Sequence, residues 1–130
     1  MGVRVGIDMV SIEAIEDSIR VHSERYLARV YTSTELEDCR RPDGTYDARR
    51  LAARIAAKEA VLKVLRVHDE GVPWRSIGVC GDRSGRPSIE LTGAAEALAR
   101  ERGVEALEVS LTNAGPFAAA VVVAEVRGER

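Results

Sequence analysis

Lysine is nearly absent from this chain of 130 residues. Of 19 basic residues only Lys58 and Lys63 are lysine, and the rest are arginine. A bias of that kind reflects genome composition and says nothing about any single site. Both lysines nonetheless fall in one short stretch, IAAKEAVLK, with Glu59 between them. Lysine is a compact ammonium on a flexible stem, whereas arginine is a planar fork, so a site built for the first resists replacement by the second. Cysteine is scarce too. Cys39 and Cys80 show neither metal-ligand spacing nor a disulfide framework, which fits a reducing cytosol. The two histidines, His22 and His68, sit in polar segments and read as surface residues. Tyr26, Tyr31, Tyr46, Trp74 and Phe117 are the only aromatics. They are expected to pack in the core or at a subunit interface.

Neither sign of charge dominates, since 19 Lys+Arg face 21 Asp+Glu for a formal net charge of -2. That excludes a generally basic surface for nucleic acid or membrane, and the arginines form no run that suggests nucleic acid. The longest apolar run, Pro116 to Val126, is too short to span a bilayer. The opening MGVRVGIDMV has no charged leader followed by a long apolar stretch. The expectation is a cytoplasmic protein with no nucleic-acid or membrane partner. What remains is ordinary globular material, 45% hydrophobic and 31% charged, enough for one domain over residues 1–130.

Val3, Val5 and Ile7 alternate and predict a strand ending near Asp8. Ile12, Ile15 and Ile19 have helical spacing, and a second short helical segment is expected over Glu24 to Val30. Thr32 with Glu35 fits a capping box opening another short helix. Arg40 to Thr45 reads as a loop. The clearest element runs from about Asp47, a plausible cap, to Arg66, about five turns without Gly or Pro. Arg75 to Val79 and Pro87 to Leu91 read as strands joined by a turn over Gly81-Asp82-Arg83-Ser84-Gly85. Thr92 is expected to cap a helix ending at Gly103. Leu107, Val109 and Leu111 alternate as a strand, Asn113 to Pro116 turns, and Phe117 to Val126 forms an apolar final strand. The order βαααββαββ predicts an α+β fold, an antiparallel sheet packed on the long helix.

Two acids occupy positions where an idle acid is costly. Asp8 follows an apolar strand, and Glu59 lies on a small-residue face of the long helix beside Ala56 and Ala60. Carboxylates from a strand and a helix can hold a hard cation, and Mg²⁺ is typically bound by one or two carboxylates plus waters and substrate phosphates. Lys63 shares the helix face of Glu59 and would meet those phosphates. By composition and spacing alone the residues read better as an ordinary helical ion pair, Glu59 with Lys63, and a carboxylate ending a strand or capping a helix.

A wider pattern separates those readings. Gly6-Ile7-Asp8-Met9-Val10, Tyr31-Thr32 with Glu35, and above all Ala52-Ala53-Arg54-Ile55-Ala56-Ala57-Lys58-Glu59-Ala60 followed by Lys63 resemble the holo-acyl carrier protein synthase family. Trp74 with Ile77-Gly78-Val79, then Gly85-Arg86-Pro87, Leu91-Thr92-Gly93, Val109 to Thr112 and Ala118 to Ala124 continue the match in order, over nearly the whole chain. Members are 4'-phosphopantetheinyl transferases. They move the phosphopantetheine arm of coenzyme A onto a serine of an acyl carrier protein and release adenosine 3',5'-bisphosphate. The resemblance implies a homotrimer with a site at each subunit interface. It makes Asp8 and Glu59 the Mg²⁺ ligands and sets Lys63 against a phosphate of coenzyme A. Arg54, on another helix face, would serve the neighbouring subunit's site. Gly85, Arg86 and Pro87 would shape the adenine side, with Thr112 and Asn113 as further coenzyme A contacts. Chemically, charge developing at the β-phosphorus would be neutralised by Mg²⁺ and Lys63. The serine proton would pass to Glu59 or to a water on the ion.

Three stretches depart from the family pattern. Ser110-Leu111-Thr112-Asn113-Ala114 stands where the family has Ser-Leu-Ser-His, often followed by Asp, and Asn113 cannot titrate. Ala14, flanked by Glu13, Glu16 and Asp17, replaces an arginine that docks the acidic carrier protein, with Arg20, Arg25 and Arg29 available in the next turns. Arg66-Val67 replaces the glycine that ends the long helix. Besides a working synthase, these departures admit a relative that keeps the fold and the coenzyme A pocket with lost or altered chemistry, or a non-catalytic trimeric interaction module.

Overall fold

The computed structural model describes residues 1–68, 70–81 and 84–128. Its elements are β1 (Gly2–Ser11), α1 (Ile12–Val30), α2 (Ser33–Cys39), α3 (Ala48–Val64), β2 (Ile77–Gly81), β3 (Pro87–Leu91), α4 (Gly93–Glu101), β4 (Val104–Ala114) and β5 (Phe117–Val126). This is the expected α+β order. The strands form two antiparallel sheets, β1-β5-β4 and the pair β2-β3, where the sequence predicted one.

Local signals set most element ends. The Ser11 hydroxyl accepts the Ala14 amide at 3.2 Å and opens α1. The chain leaves helical geometry at Ser23 (φ 51°, ψ -134°), which divides α1 into the two segments anticipated. The capping box of α2 is formed: the Glu35 amide donates to Thr32 Oγ1 at 3.2 Å, and the Thr32 amide to Glu35 Oε1 at 2.8 Å. Asp47 Oδ1 accepts the Arg49 and Arg50 amides at 3.0 and 3.4 Å at the start of α3. That helix ends two residues before the predicted Arg66. There Arg66 adopts a left-handed φ of 53°, and the Val67 amide closes back on the Leu62 carbonyl at 3.1 Å. Glycine is the usual residue for such an ending because it carries no Cβ.

Some expectations need correction. Arg75 lies in a 3₁₀ turn, Trp74–Ser76, and β2 begins only at Ile77. Thr92 occupies the N-cap position of α4, but its side chain makes no capping bond. Its carbonyl takes the Glu96 amide at 3.2 Å instead. Of the turn predicted between β2 and β3, Asp82 and Arg83 lie outside the described residues. The flanking strands pair as expected, with Val79 opposite Ile89. Asp8 does not end its strand either, since β1 runs on to Ser11.

The three-stranded sheet has two unlike faces. On one, Ala118, Ala120, Val122, Ala124 and Val126 of β5 are buried, as are Ala52, Ala53, Ala56, Ala57 and Ala60 of α3. Small side chains on both partners let the helix lie close to the sheet. The closest approach is at Gly6, where a Cβ would overlap the Ala60 carbonyl oxygen. Arg4 Nη1 adds a hydrogen bond to the Val64 carbonyl at 3.1 Å. Asp8 shares the strand parity of Gly6 and therefore faces α3. On the other face Val3, Val5, Ile7 and Met9 are 62–65% exposed, and their cross-strand neighbours on β5 include Val123 and Val121. A contiguous exposed apolar face of this kind marks a contact surface.

Candidate active site

Helix α3 carries ionic residues on two different flanks. At 100° per residue, Arg54 and Lys58 share one direction, Glu59 and Lys63 share another, and about 140° separates Arg54 from Glu59. Each flank borders its own cleft.

On the first flank the closeness of β1 to α3 brings Asp8 against Lys63. Lys63 Nζ donates to Asp8 Oδ1 at 3.2 Å and to the Ile7 carbonyl at 2.7 Å. Glu59 completes the group. Burial raises its carboxyl above the usual carboxylate range, the neighbouring Asp8 charge raises it further, and Lys63 partly offsets both. Two carboxylates are thus held within each other's field, an arrangement that a cation relieves. Glu59 and Lys63 open onto a cleft of about 480 Å³ that His68 and Arg66 also border. Sequence reasoning set His68 aside as a surface residue. It is exposed, but it stands at the rim of this cleft.

The second flank borders a cleft of about 470 Å³. Arg54 forms its floor together with Arg50 and Asp38. Gly81, Gly85 and Pro87 of the hairpin make one wall, and Thr112 and Asn113 at the end of β4 make another. Arg86 lies exposed between Gly85 and Pro87. The Arg54 side chain is about nine-tenths buried, with its Nη2 only loosely placed at 3.9 Å from Asp38 Oδ2. Its Nη1 donates to the Arg50 carbonyl at 3.3 Å, while its Nε, fully buried, has no hydrogen-bond partner. Buried donors are almost always satisfied, so an under-satisfied guanidinium at a cleft floor is suited to an anionic group.

The structure therefore brings together Asp8, Glu59 and Lys63, and separately Arg54, Gly85, Pro87, Thr112 and Asn113. Among the described residues the two sets border different clefts. Arg50 and Asp38 were missed by the sequence reading. Arg50 lies four residues before Arg54, a spacing that puts both on one helix face and was there to be read.

Comparison with known proteins identifies the family. The family model of the 4'-phosphopantetheinyl transferase superfamily matches residues 4–122. The chain is 39% identical over 131 residues to a holo-[acyl-carrier-protein] synthase of Paramagnetospirillum magneticum, covering 98% of each chain. Among solved structures it is similar to the ACPS–CoA complex of Chronobacterium ammoniagenes, with a TM-score of 0.83, 26% identity, and 98% and 99% of the two chains covered. The Helicobacter pylori holo-[acyl-carrier-protein] synthase in complex with coenzyme A gives a TM-score of 0.80 at 26% identity, covering 94% of this chain and all of that one. By these likenesses, which span the elements bearing both clefts, the chain belongs to the holo-acyl carrier protein synthase family of 4'-phosphopantetheinyl transferases.

Proposed function

We propose that the chain, acting as one domain over residues 1–130, transfers the 4'-phosphopantetheine arm of coenzyme A to a serine of an acyl carrier protein. Adenosine 3',5'-bisphosphate is the second product. The observation that carries this reading is the grouping of Asp8, Glu59 and Lys63 beside an open cleft, with Glu59 driven up by burial and by Asp8. Asp8 and Glu59 fit a hard divalent cation, because both are carboxylates and their mutual repulsion favours one. They would hold Mg²⁺. When bound, the ion supplies charge neutralisation and a template at the pyrophosphate. Lys63 adds a positive charge on the same side, its Nζ donating to the Ile7 carbonyl. Glu59, which lines this cleft, would be the chain's own acceptor for the carrier serine's proton.

The separation of the two clefts supports a homotrimer with shared sites. Arg54 and its cleft would receive the adenosine bisphosphate end of coenzyme A, with Gly85, Arg86 and Pro87 on the adenine side and Thr112 and Asn113 near the phosphates. The neighbouring subunit would supply Asp8, Glu59 and Lys63. The apolar face of Val3, Val5, Ile7 and Met9 is the surface such an assembly would cover. Among the described residues no helix is long and apolar enough to cross a membrane, and a cytoplasmic location is the one proposed.

One observation favours a second reading. Asn113 lines the cleft where the family carries a histidine, which fits a protein that binds coenzyme A without transferring its arm. Incubation with apo-acyl carrier proteins, coenzyme A and Mg²⁺, followed by intact-mass measurement, separates the two. Transfer adds the mass of one phosphopantetheine arm. A thermal shift with coenzyme A and no added mass on any carrier favours the second reading. Blank results in both tests sink the coenzyme A assignment and leave an interaction module.

A further inference from the structure

Glu35 and Lys58 are both fully buried and border neither cleft. Lys58 Nζ stands 2.7 Å from Glu35 Oε1. It also donates to the Trp74 carbonyl at 3.1 Å and to the Ile77 carbonyl at 2.5 Å. Glu35 Oε1 takes the Thr32 amide, and Oε2 takes the Val79 amide at 2.8 Å. The three ammonium protons and both carboxylate oxygens are thus satisfied inside the protein. The Tyr31 ring lies 5.9 Å from the ammonium. Dehydrating such a pair is costly: burial pulls the Lys58 ammonium below its ordinary value, and the Glu35 charge only opposes that pull. Apolar residues of similar volume often replace a buried pair at no loss of stability, so stability alone does not account for this one.

What the pair joins is more telling. Glu35 lies on α2, three residues before Asp38. Lys58 lies on α3, four residues after Arg54 and on the same face. Ile77 and Val79 belong to β2, which continues into Cys80 and Gly81. Asp38, Arg54, Val79, Cys80 and Gly81 all border the 470 Å³ cleft. Three of its walls come from α2, α3 and β2, and one ion pair beneath the cleft ties all three together.

We propose that Glu35 and Lys58 are positioning residues that set the spacing of these walls and so the fit of the adenosine bisphosphate end of coenzyme A. This rests on the reading of the Arg54 cleft as the coenzyme A-binding half of a transferase. Neither residue touches the reacting atoms. They act through Asp38, Arg54 and the 79–81 segment.

The test compares wild type with Lys58→Arg, which keeps the ion pair but replaces a point charge by a fork, and with the double variant Glu35→Gln/Lys58→Met, which leaves no buried charge. Titration calorimetry with adenosine 3',5'-bisphosphate and steady-state transfer kinetics are measured well below each melting midpoint. In both variants affinity falls about tenfold or more and KM for coenzyme A rises in parallel, while kcat changes less than about threefold. A pair that only stabilises the fold would lower the melting midpoint and leave affinity untouched. Wild-type affinity in either folded variant overturns the proposal, as does a fall in kcat with affinity unchanged. If wild type itself binds no adenosine 3',5'-bisphosphate, the cleft assignment fails and takes the proposal with it, an outcome seen before any substitution is made.

Discussion

Lys58 and Lys63 stand five residues apart on one helix and carry the same ammonium group, yet the fold treats them as opposites. Lys58 has no exposed surface and satisfies a carboxylate and two carbonyls. Lys63 is 53% exposed and shares Asp8 and one carbonyl at the rim of a cleft. Removing water from the first makes it a fixed point, because any movement strands a charge in a medium that cannot solvate it. Keeping water on the second leaves it able, in the proposed reaction, to exchange Asp8 for an incoming phosphate. Position relative to solvent, rather than residue type, decides which lysine holds structure and which is free to act.

The sharpest way to probe this contrast is on the exposed flank. Glu59→Gln and Asp8→Asn keep shape and remove one carboxylate charge each. Both are expected to lower kcat/KM for transfer by about 10³-fold or more with the fold intact, as removal of a transition-state electrostatic group typically does. Retained activity in either would detach the chemistry from this flank.

Stability measurements test the contrast from the other side. Lys58→Ala leaves Glu35 buried without its partner and is expected to cost about 3–5 kcal/mol in urea unfolding. Lys63→Ala is expected to cost under about 1 kcal/mol, as exposed pairs do. Equal costs would erase the distinction. Gly6→Ala acts on the contact that sets Asp8 beside Glu59. Its Cβ meets the Ala60 carbonyl oxygen, so about 1–3 kcal/mol is lost to overpacking, and transfer falls with it as β1 is pushed away from α3.

The smallest effect concerns pH. The folded protein holds Glu59 above its ordinary value, so the folded state takes up a proton more readily than the unfolded chain. Ionised Glu59 therefore opposes folding. Its contribution improves as pH falls through the window just above the usual glutamate range and is lost as pH rises through it. Glu59→Gln should flatten stability across that window and gain under about 1 kcal/mol at neutral pH, because the group is largely solvated. Thermal melts of the two proteins between weakly acidic and neutral pH decide it. Loss of activity with a slight gain in stability would mark Glu59 as a residue retained for chemistry.

What could be read in the sequence followed the range of the interaction. The capping box at Thr32 and Glu35 spans three residues, and its pattern is printed in the chain. The second oxygen of Glu35 goes to Val79, 44 residues away, and no local pattern announces that. Lys58 drew notice as one of two lysines and as part of the family motif, but not for its contacts, since Glu35 and the two carbonyls are brought to it by folding. Alternation of Val3, Val5 and Ile7 told which residues share a face but not whether the face is covered. Within the Asp8–Glu59–Lys63 group, helical spacing pairs only Glu59 with Lys63; Asp8 joined them through the family motifs, because nothing local links it to the helix. The cleft around Arg54 needed four separated segments, which is why Asp38 entered only with the fold, whereas Arg50, one turn before Arg54, was legible in the chain.

The placement of two working surfaces on opposite flanks of α3 has a genetic consequence. In the proposed trimer a chain spoiled on one flank still lends its sound flank to a neighbour. Two different inactive alleles, one altered at Glu59 and one at Arg54, could then complement each other within a mixed assembly, whereas two alleles altered on the same flank could not.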